Sequence, residues 1–139
     1  MLSSDHVHTI QMSVEHLSCT TRQLAACFYQ HLFAASPSVR EMFPPQMSPQ
    51  VVKLEQMLVY ILSTMNDPET LFPVLDELGQ AHGDLGAVPA HYDAVGKALI
   101  AALRESVTGW TEEQEHAWGA LYTLVCKRMM AAANPGPAD

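Results

Sequence analysis

The sequence predicts an all-α protein of about seven helices packed as one domain, and three observations carry that prediction. Apolar residues recur at three- and four-residue spacing along nearly the whole chain. Prolines stand where one helix must stop or the next can start. No run of alternating polar and apolar residues is long enough to propose a strand.

The elements follow in order. Val7, Ile10, Val14 and Leu17 share one face of a first helix. Ser18 or Thr20 can cap a second, with Leu24, Cys27, Phe28, Leu32 and Ala35 as its inner stripe. That helix must end near Ser36-Pro37, because the residue before a proline avoids helical backbone. Pro37 opens a short turn through Val39 to Phe43, and Pro44-Pro45 closes it. Ser48-Pro49 reads as a cap followed by a first-turn proline, ahead of the stripe Leu54, Met57, Leu58, Ile61, Leu62 and Met65. Asp67-Pro68 repeats the start signal before Leu71, Val74, Leu75 and Leu78, and Gly83 and Gly86 are expected to end that helix. Val88-Pro89 opens a helix that buries Tyr92, Val95, Leu99 and Leu103 and stops by Gly109. Thr111 with Gln114 forms a capping box for the last helix, lined by Trp118, Leu121, Tyr122, Val125 and Met129. Residues 1–131 are expected to form the domain, and 132–139, with Pro135 and Pro137, a flexible tail.

Length and charge narrow the function classes. A chain of 139 residues buries roughly two-thirds of its unfolded surface and needs no staples. Seven Lys and Arg against fifteen Asp and Glu give a net charge of -8, which repels nucleic acid and anionic membrane surfaces. No unbroken apolar span of about 20 residues suggests a membrane helix, and the start Met1-Leu2-Ser3-Ser4-Asp5 lacks the pattern of a secretory signal. Cys19, Cys27 and Cys126 are odd in number and irregular in spacing, neither a disulfide framework nor a zinc pattern. They read as small buried side chains in a reducing compartment, and the expected location is cytoplasmic.

The most informative residue is His82. The stripe 71, 74, 75, 78 continues to 82, so this histidine faces inward at the end of its helix. It is either a core histidine bonded to a backbone carbonyl or a metal ligand. No Cys, Asp or second His stands at ligand spacing, which argues against zinc or a di-iron carboxylate site. One inward imidazole in an apolar helical pocket suits haem, whose iron needs a single protein bond on that side. Tyr29 and Gln50 are polar residues on otherwise apolar helices. Each is either a surface residue or a hydrogen-bond donor into such a pocket. Lys53 is either solvated or within reach of a haem propionate or the iron.

Taken together, several stretches resemble the globin family, specifically bacterial haemoglobins and the haem domain of flavohaemoglobins. They are Phe28-Tyr29-Gln30-His31-Leu32-Phe33, Pro37 with Arg40-Glu41-Met42-Phe43, and Gln50-Val51-Val52-Lys53-Leu54. His82 with Val88-Pro89-Ala90-His91-Tyr92, then Val95-Gly96, and Ala117-Trp118 with Tyr122 complete the set. The resemblance implies a globin fold around haem b (iron protoporphyrin IX), with His82 as the proximal iron ligand and Phe43 packed on the haem face. It implies that Tyr29 and Gln50 form the distal pair, that Leu54 lies over the iron, and that Leu78, Val88, Tyr92 and Val95 line the proximal side and rim. His91 and Lys53 would approach the propionates. Two departures from the family pattern bear on chemistry. Pro135 stands about where flavohaemoglobins carry a glutamate paired with the residue matching Tyr92, and there is no distal histidine, so a bis-histidine haem is not expected.

The function so implied is reversible binding of dioxygen, for storage or delivery, with nitric oxide and carbon monoxide as further gaseous ligands. The alternative is a nitric oxide dioxygenase fed by an external reductase, because no reductase follows the helical domain in this sequence. A third reading is a haem-based or haem-free sensor or interaction module on the same scaffold. Monomer and homodimer are both compatible with the sequence.

Overall fold

The computed structural model describes residues 2–133, and these form six α-helices and one 3-10 helix. They are α1 (Ser4–Glu15), α2 (Thr21–Ala35), the 3-10 helix (Pro37–Met42), α3 (Ser48–Thr64), α4 (Pro68–Asp84), α5 (Pro89–Ser106) and α6 (Glu112–Ala133). Among the described residues the only β-type pairing is an isolated bridge between Leu17 and Val107. No described helix is long and apolar enough to cross a membrane. The all-α expectation, about seven helices, is what the chain forms.

Most helix starts follow the expected chemistry. Thr20 caps α2, and its partner Gln23 closes a full capping box, 3.1 and 2.9 Å; such a cap contributes about 1 kcal/mol. Ser18, the other candidate, instead donates its hydroxyl and its amide to the Ser106 carbonyl, both at 2.8 Å. Asp67 caps α4 through the Thr70 amide, and Thr111 with Gln114 closes the box at the start of α6. Two expectations need correction. Ser48 is not a cap: it is the first helical residue of α3, the preceding Met47 is the N-cap, and no side chain caps that end. Gly83 does not end α4, which runs to Asp84 with Leu85 as its C-cap. Gly86 does the stopping, at φ +91°, where a side chain would be strained. Its amide bonds to the Gly83 carbonyl and the Ala87 amide to the His82 carbonyl, a Schellman arrangement. At the far end α6 continues two residues past 131, and the rest of the expected tail, Pro135 included, lies outside the described residues.

Packing runs in two interlocked pairs. The most extensive contacts join α4 to α6 and α2 to α5, with α1 laid on α6 and α3 on α2. Gly79 permits the first pairing: a Cβ there would stand 2.3 Å from the Met129 carbonyl oxygen, so only glycine lets the two backbones meet. Gly83, one turn on, lies against Ala133 in the same seam. Ile10, Leu32, Leu71, Leu75 and Leu103 are fully buried between these helices, each contributing roughly 1.5–3 kcal/mol. Beside the seam, Leu78 and His82 of α4 border a space shared with α3, α5 and α6.

Candidate functional site

An apolar slot opens between α3, α4, α5 and α6, with Phe28 of α2 at its back. Its volume is ≈ 200 Å³. Leu54, Met57, Leu58 and Ile61 form the α3 wall, Tyr92, Val95 and Leu99 the α5 wall, and Trp118, Leu121, Val125 and Met129 the α6 floor. His82 lines the slot and is itself exposed, so the slot meets solvent beside it.

His82 is held from two directions. Its Nδ1 lies 2.8 Å from the Leu78 carbonyl oxygen. A carbonyl only accepts, so Nδ1 carries a proton, and in the neutral ring Nε2 then keeps the lone pair. Its own backbone carbonyl accepts from the Ala87 amide at 2.9 Å, inside the turn that Gly86 makes possible. The ring is therefore fixed in tautomer and anchored at the helix end, which is how a ligating imidazole is prepared for a metal. The histidine does bond a backbone carbonyl, though from an exposed position rather than from the core, and doing so leaves the other nitrogen available.

His91 also lines the slot. Its Nδ1 accepts from the Val88 amide at 3.1 Å and so caps α5, which leaves Nε2–H as a donor. Tyr92 is 9% exposed, and its hydroxyl is buried without a hydrogen-bond partner among the described residues. Leaving such a group unpaired costs about 1–3 kcal/mol. Tyr122 donates its hydroxyl to the Tyr92 carbonyl, and burial pushes its phenol well above the ordinary range. Gly96 makes room for that ring, since a Cβ there would lie 2.7 Å from it.

Of the expected site residues, Leu54, Leu78, His82, His91, Tyr92 and Val95 come together around this one slot. Tyr29, Phe43, Gln50, Lys53 and Val88 are not among its lining residues. Tyr29 and Phe43 belong to an adjoining aromatic cluster. The Tyr29 ring packs edge-on against Phe28 at 5.1 Å and Phe43 at 5.5 Å, and Phe33 meets Phe43 at 5.4 Å. Phe28 lines the slot and packs on Tyr29, so the cluster adjoins the slot through it. Burial raises the Tyr29 phenol pKa, so the hydroxyl remains a donor at neutral pH. Arg40 fastens the corner that presents Phe43. Its guanidinium donates to the carbonyls of Phe43, Pro44 and Pro45 at 3.3, 2.9 and 3.1 Å and stacks over Phe33. Gln50 is half-buried in the first turn of α3, Lys53 is exposed, and Val88 is 46% exposed ahead of α5. The α6 floor was legible as a buried stripe but not as part of a site.

The donor set fits haem: one neutral imidazole nitrogen, apolar walls from four helices, and a buried unpaired phenol on the wall. An all-α fold with an apolar pocket in which one histidine, His82, offers a free ring nitrogen is the class so defined. The chain belongs to the globin family, whose model matches residues 26–129; globins bind haem. Its relatives include the flavohemoprotein of Bacillus cereus, 30% identical over 129 residues, a match covering 90% of this chain and 32% of that protein. The chain thus spans about a third of that relative's length. Among solved structures, a bacterial globin from Campylobacter jejuni superposes with TM-score 0.82 at 21% identity, covering 96% of this chain and 97% of the other. An engineered carbene transferase, derived from a candidate nitric oxide dioxygenase of Rhodothermus marinus, superposes with TM-score 0.84 at 23% identity, covering 97% and 95%.

Proposed function

We propose that this globin binds dioxygen reversibly, with His82 as the iron ligand and Tyr29 and Gln50 on the gas-binding side. The observation that carries it is the fixed tautomer of His82, which offers Nε2 to the slot while Nδ1 is held by Leu78. Haem, when bound, supplies an iron that takes a diatomic gas: dioxygen, nitric oxide or carbon monoxide. The remaining work belongs to the chain. Leu54 and the α3 wall keep water out, His91 offers Nε2–H to an anionic edge of the cofactor, and Tyr29 keeps its hydroxyl proton for donation to a polar ligand. In keeping with the notion of a preorganised donor, the Phe28, Phe33 and Phe43 rings hold Tyr29 at a defined angle.

The test is the visible spectrum of the purified protein, ferric, ferrous, and ferrous with oxygen. An intense Soret band with a five-coordinate ferrous spectrum supports the reading. A six-coordinate ferrous spectrum would point to an internal ligand such as Lys53, and no haem band after adding haem would sink it. His82→Ala is expected to lose most haem retention in gel filtration.

A second reading is nitric oxide dioxygenase activity, favoured by the flavohemoprotein relatives and the Rhodothermus marinus neighbour. Electrons would then come from a reductase outside this sequence. Stopped-flow mixing of the oxygen-equilibrated ferrous protein with nitric oxide should give rapid, stoichiometric nitrate; slow or absent nitrate rejects it.

A further inference from the structure

On the opposite side of α2 from Tyr29, three side chains of different chemistry converge. Cys27 and His31 stand four residues apart on α2 and so share one face. Glu105, in the last turn of α5, reaches over to both. Its Oε2 lies 2.6 Å from His31 Nε2 and 3.5 Å from Cys27 Sγ, and the three ligand atoms all fall within 4.8 Å of one another. We propose that Cys27, His31 and Glu105 form a binding site for a borderline divalent cation of the zinc class, separate from the haem slot.

The geometry suits that ion. Tetrahedral zinc binds thiolate sulfur at about 2.3 Å, and imidazole nitrogen and carboxylate oxygen at about 2.0–2.2 Å, which sets neighbouring donor atoms roughly 3.3–3.7 Å apart. The Cys27–Glu105 separation already matches, and the His31–Glu105 pair has only to open by about 1 Å. Side-chain rotation alone supplies that, because the Glu105 side chain is 63% exposed and His31 37%. The backbones need not move. Packing of α2 against α5 and the two bonds from Ser18 to the Ser106 carbonyl set the register of the two helices.

The donor types select the metal. Calcium and magnesium take oxygen ligands and would meet only one carboxylate here. A sulfur, a nitrogen and an oxygen together suit zinc. One thiolate, one carboxylate and one neutral imidazole balance the two positive charges; binding releases the Cys27 thiol proton to solvent and displaces the proton that His31 Nε2 shares with Glu105, to Nδ1 or to solvent. A shallow surface recess, lined by Ser18, Cys19, Cys27, Glu105 and Ser106, leaves room for water as the fourth ligand. The ordinary alternative is an exposed His31–Glu105 ion pair with a thiol beside it by chance. Such a pair holds two helices together only weakly and makes no use of the sulfur.

The experiment uses the haem-loaded protein in a thiol-free reductant, with Zn²⁺ alone as the probe. Calorimetry against a competing chelator is expected to give one ion per chain. Zn²⁺ should slow alkylation of Cys27 at least about tenfold, read by peptide mass spectrometry, while Cys126 labels at an unchanged rate. Cys27→Ser, His31→Gln and Glu105→Gln should each weaken the affinity by at least about tenfold, the cost already incurred when residues that merely orient a ligand are lost. Each variant should keep its Soret band and helical content, and Cys126→Ser should bind Zn²⁺ as the parent does. Zn²⁺ bound at the same stoichiometry by all three variants would place it on other histidines and overturn the site. Absence of binding to the parent protein would do the same, with the haem spectrum independent of either result.

Discussion

At the scale of single residues, two hydroxyl groups have measurable consequences. Ser13, fully buried in α1, accepts a hydrogen bond from Trp118 Nε1 at 2.8 Å and donates to the Ile10 carbonyl at 2.7 Å. Ser13→Ala leaves the indole N–H buried without a partner, and a loss of about 1–3 kcal/mol is expected in urea unfolding. A loss below a few tenths would mean that water replaces the hydroxyl. Tyr29 tests function instead. If its phenol donates to the bound gas, Tyr29→Phe removes one neutral hydrogen bond and should speed oxygen release roughly 2- to 10-fold. An unchanged off-rate would return Tyr29 to a packing role among Phe28, Phe33 and Phe43. Neither hydroxyl's role shows in the periodic pattern. Ser13 lies on the buried side of α1 and meets a residue 105 positions away.

At the scale of elements, the α4–α6 seam decides where His82 stands. Gly79→Ala puts a methyl against the Met129 backbone, and the forced separation should cost roughly 1–3 kcal/mol. Gly119→Ala in α6 is the matched control: its Cβ would meet nothing within 4 Å, so relief of helix entropy should stabilise it by up to about 1 kcal/mol. Equal effects at the two sites would remove the seam argument. The same pair of helices carries a pH-dependent tie. Arg128 grips Asp76 with two bonds, 2.6 and 2.8 Å, and stacks over Phe72. That grip holds the Asp76 carboxyl below its ordinary range. Its folded-state pKa is depressed, so the stabilisation is present above the unfolded value of about 3.9 and is lost as pH falls through the folded value. Asp76→Asn should therefore be less stable than the parent at pH 7, with the difference closing as pH falls below the unfolded carboxyl value and through the depressed folded one. A gap that persists in acid would show that packing, not charge, is what Asp76 supplies.

At the scale of the whole molecule, what could be read in advance follows from what repeats. The stripe from Leu71 to His82 is periodic, so the helix was visible, while His82 at its end lines the slot but is exposed rather than buried in the core. The capping boxes and helix-opening prolines are local, and most of the boundaries followed. Gly83 was mistaken for a stop because glycine breaks helices in isolation; only the approach of α6 shows that Gly79 and Gly83 are contact surfaces. Arg40 stands in a stretch that carries the resemblance, but its role is not legible there, because it depends on three carbonyls turning back toward it after the chain bends. The cluster of Cys27, His31 and Glu105 escaped because Glu105 lies 78 residues beyond Cys27, and ligand spacing along the sequence has no means to express a helix pairing.

The same division between repeating core and irregular site predicts what haem removal does. The helices α1, α4 and α6 meet through Ile10, Leu71, Leu75 and Trp118, and that packing does not depend on the slot except at Trp118. The segment from the end of α4 to the start of α5 is different. Leu85 is 78% exposed, Val88 46%, and the turn is held by a few backbone bonds around Gly86 and by the side chains of His82 and His91. Regions with few buried contacts open at low free energy, and a cofactor that ties His82 adds stability there by mass action. Haem-free protein should keep most of its helix by circular dichroism. Its amides at 82–91 should exchange with deuterium markedly faster than in the haem-loaded form, while those of α1 and the middle of α6 change little. Uniform deprotection would mean that the whole bundle, rather than this segment, is organised by the cofactor. No change at 82–91 would remove His82 from the role proposed for it.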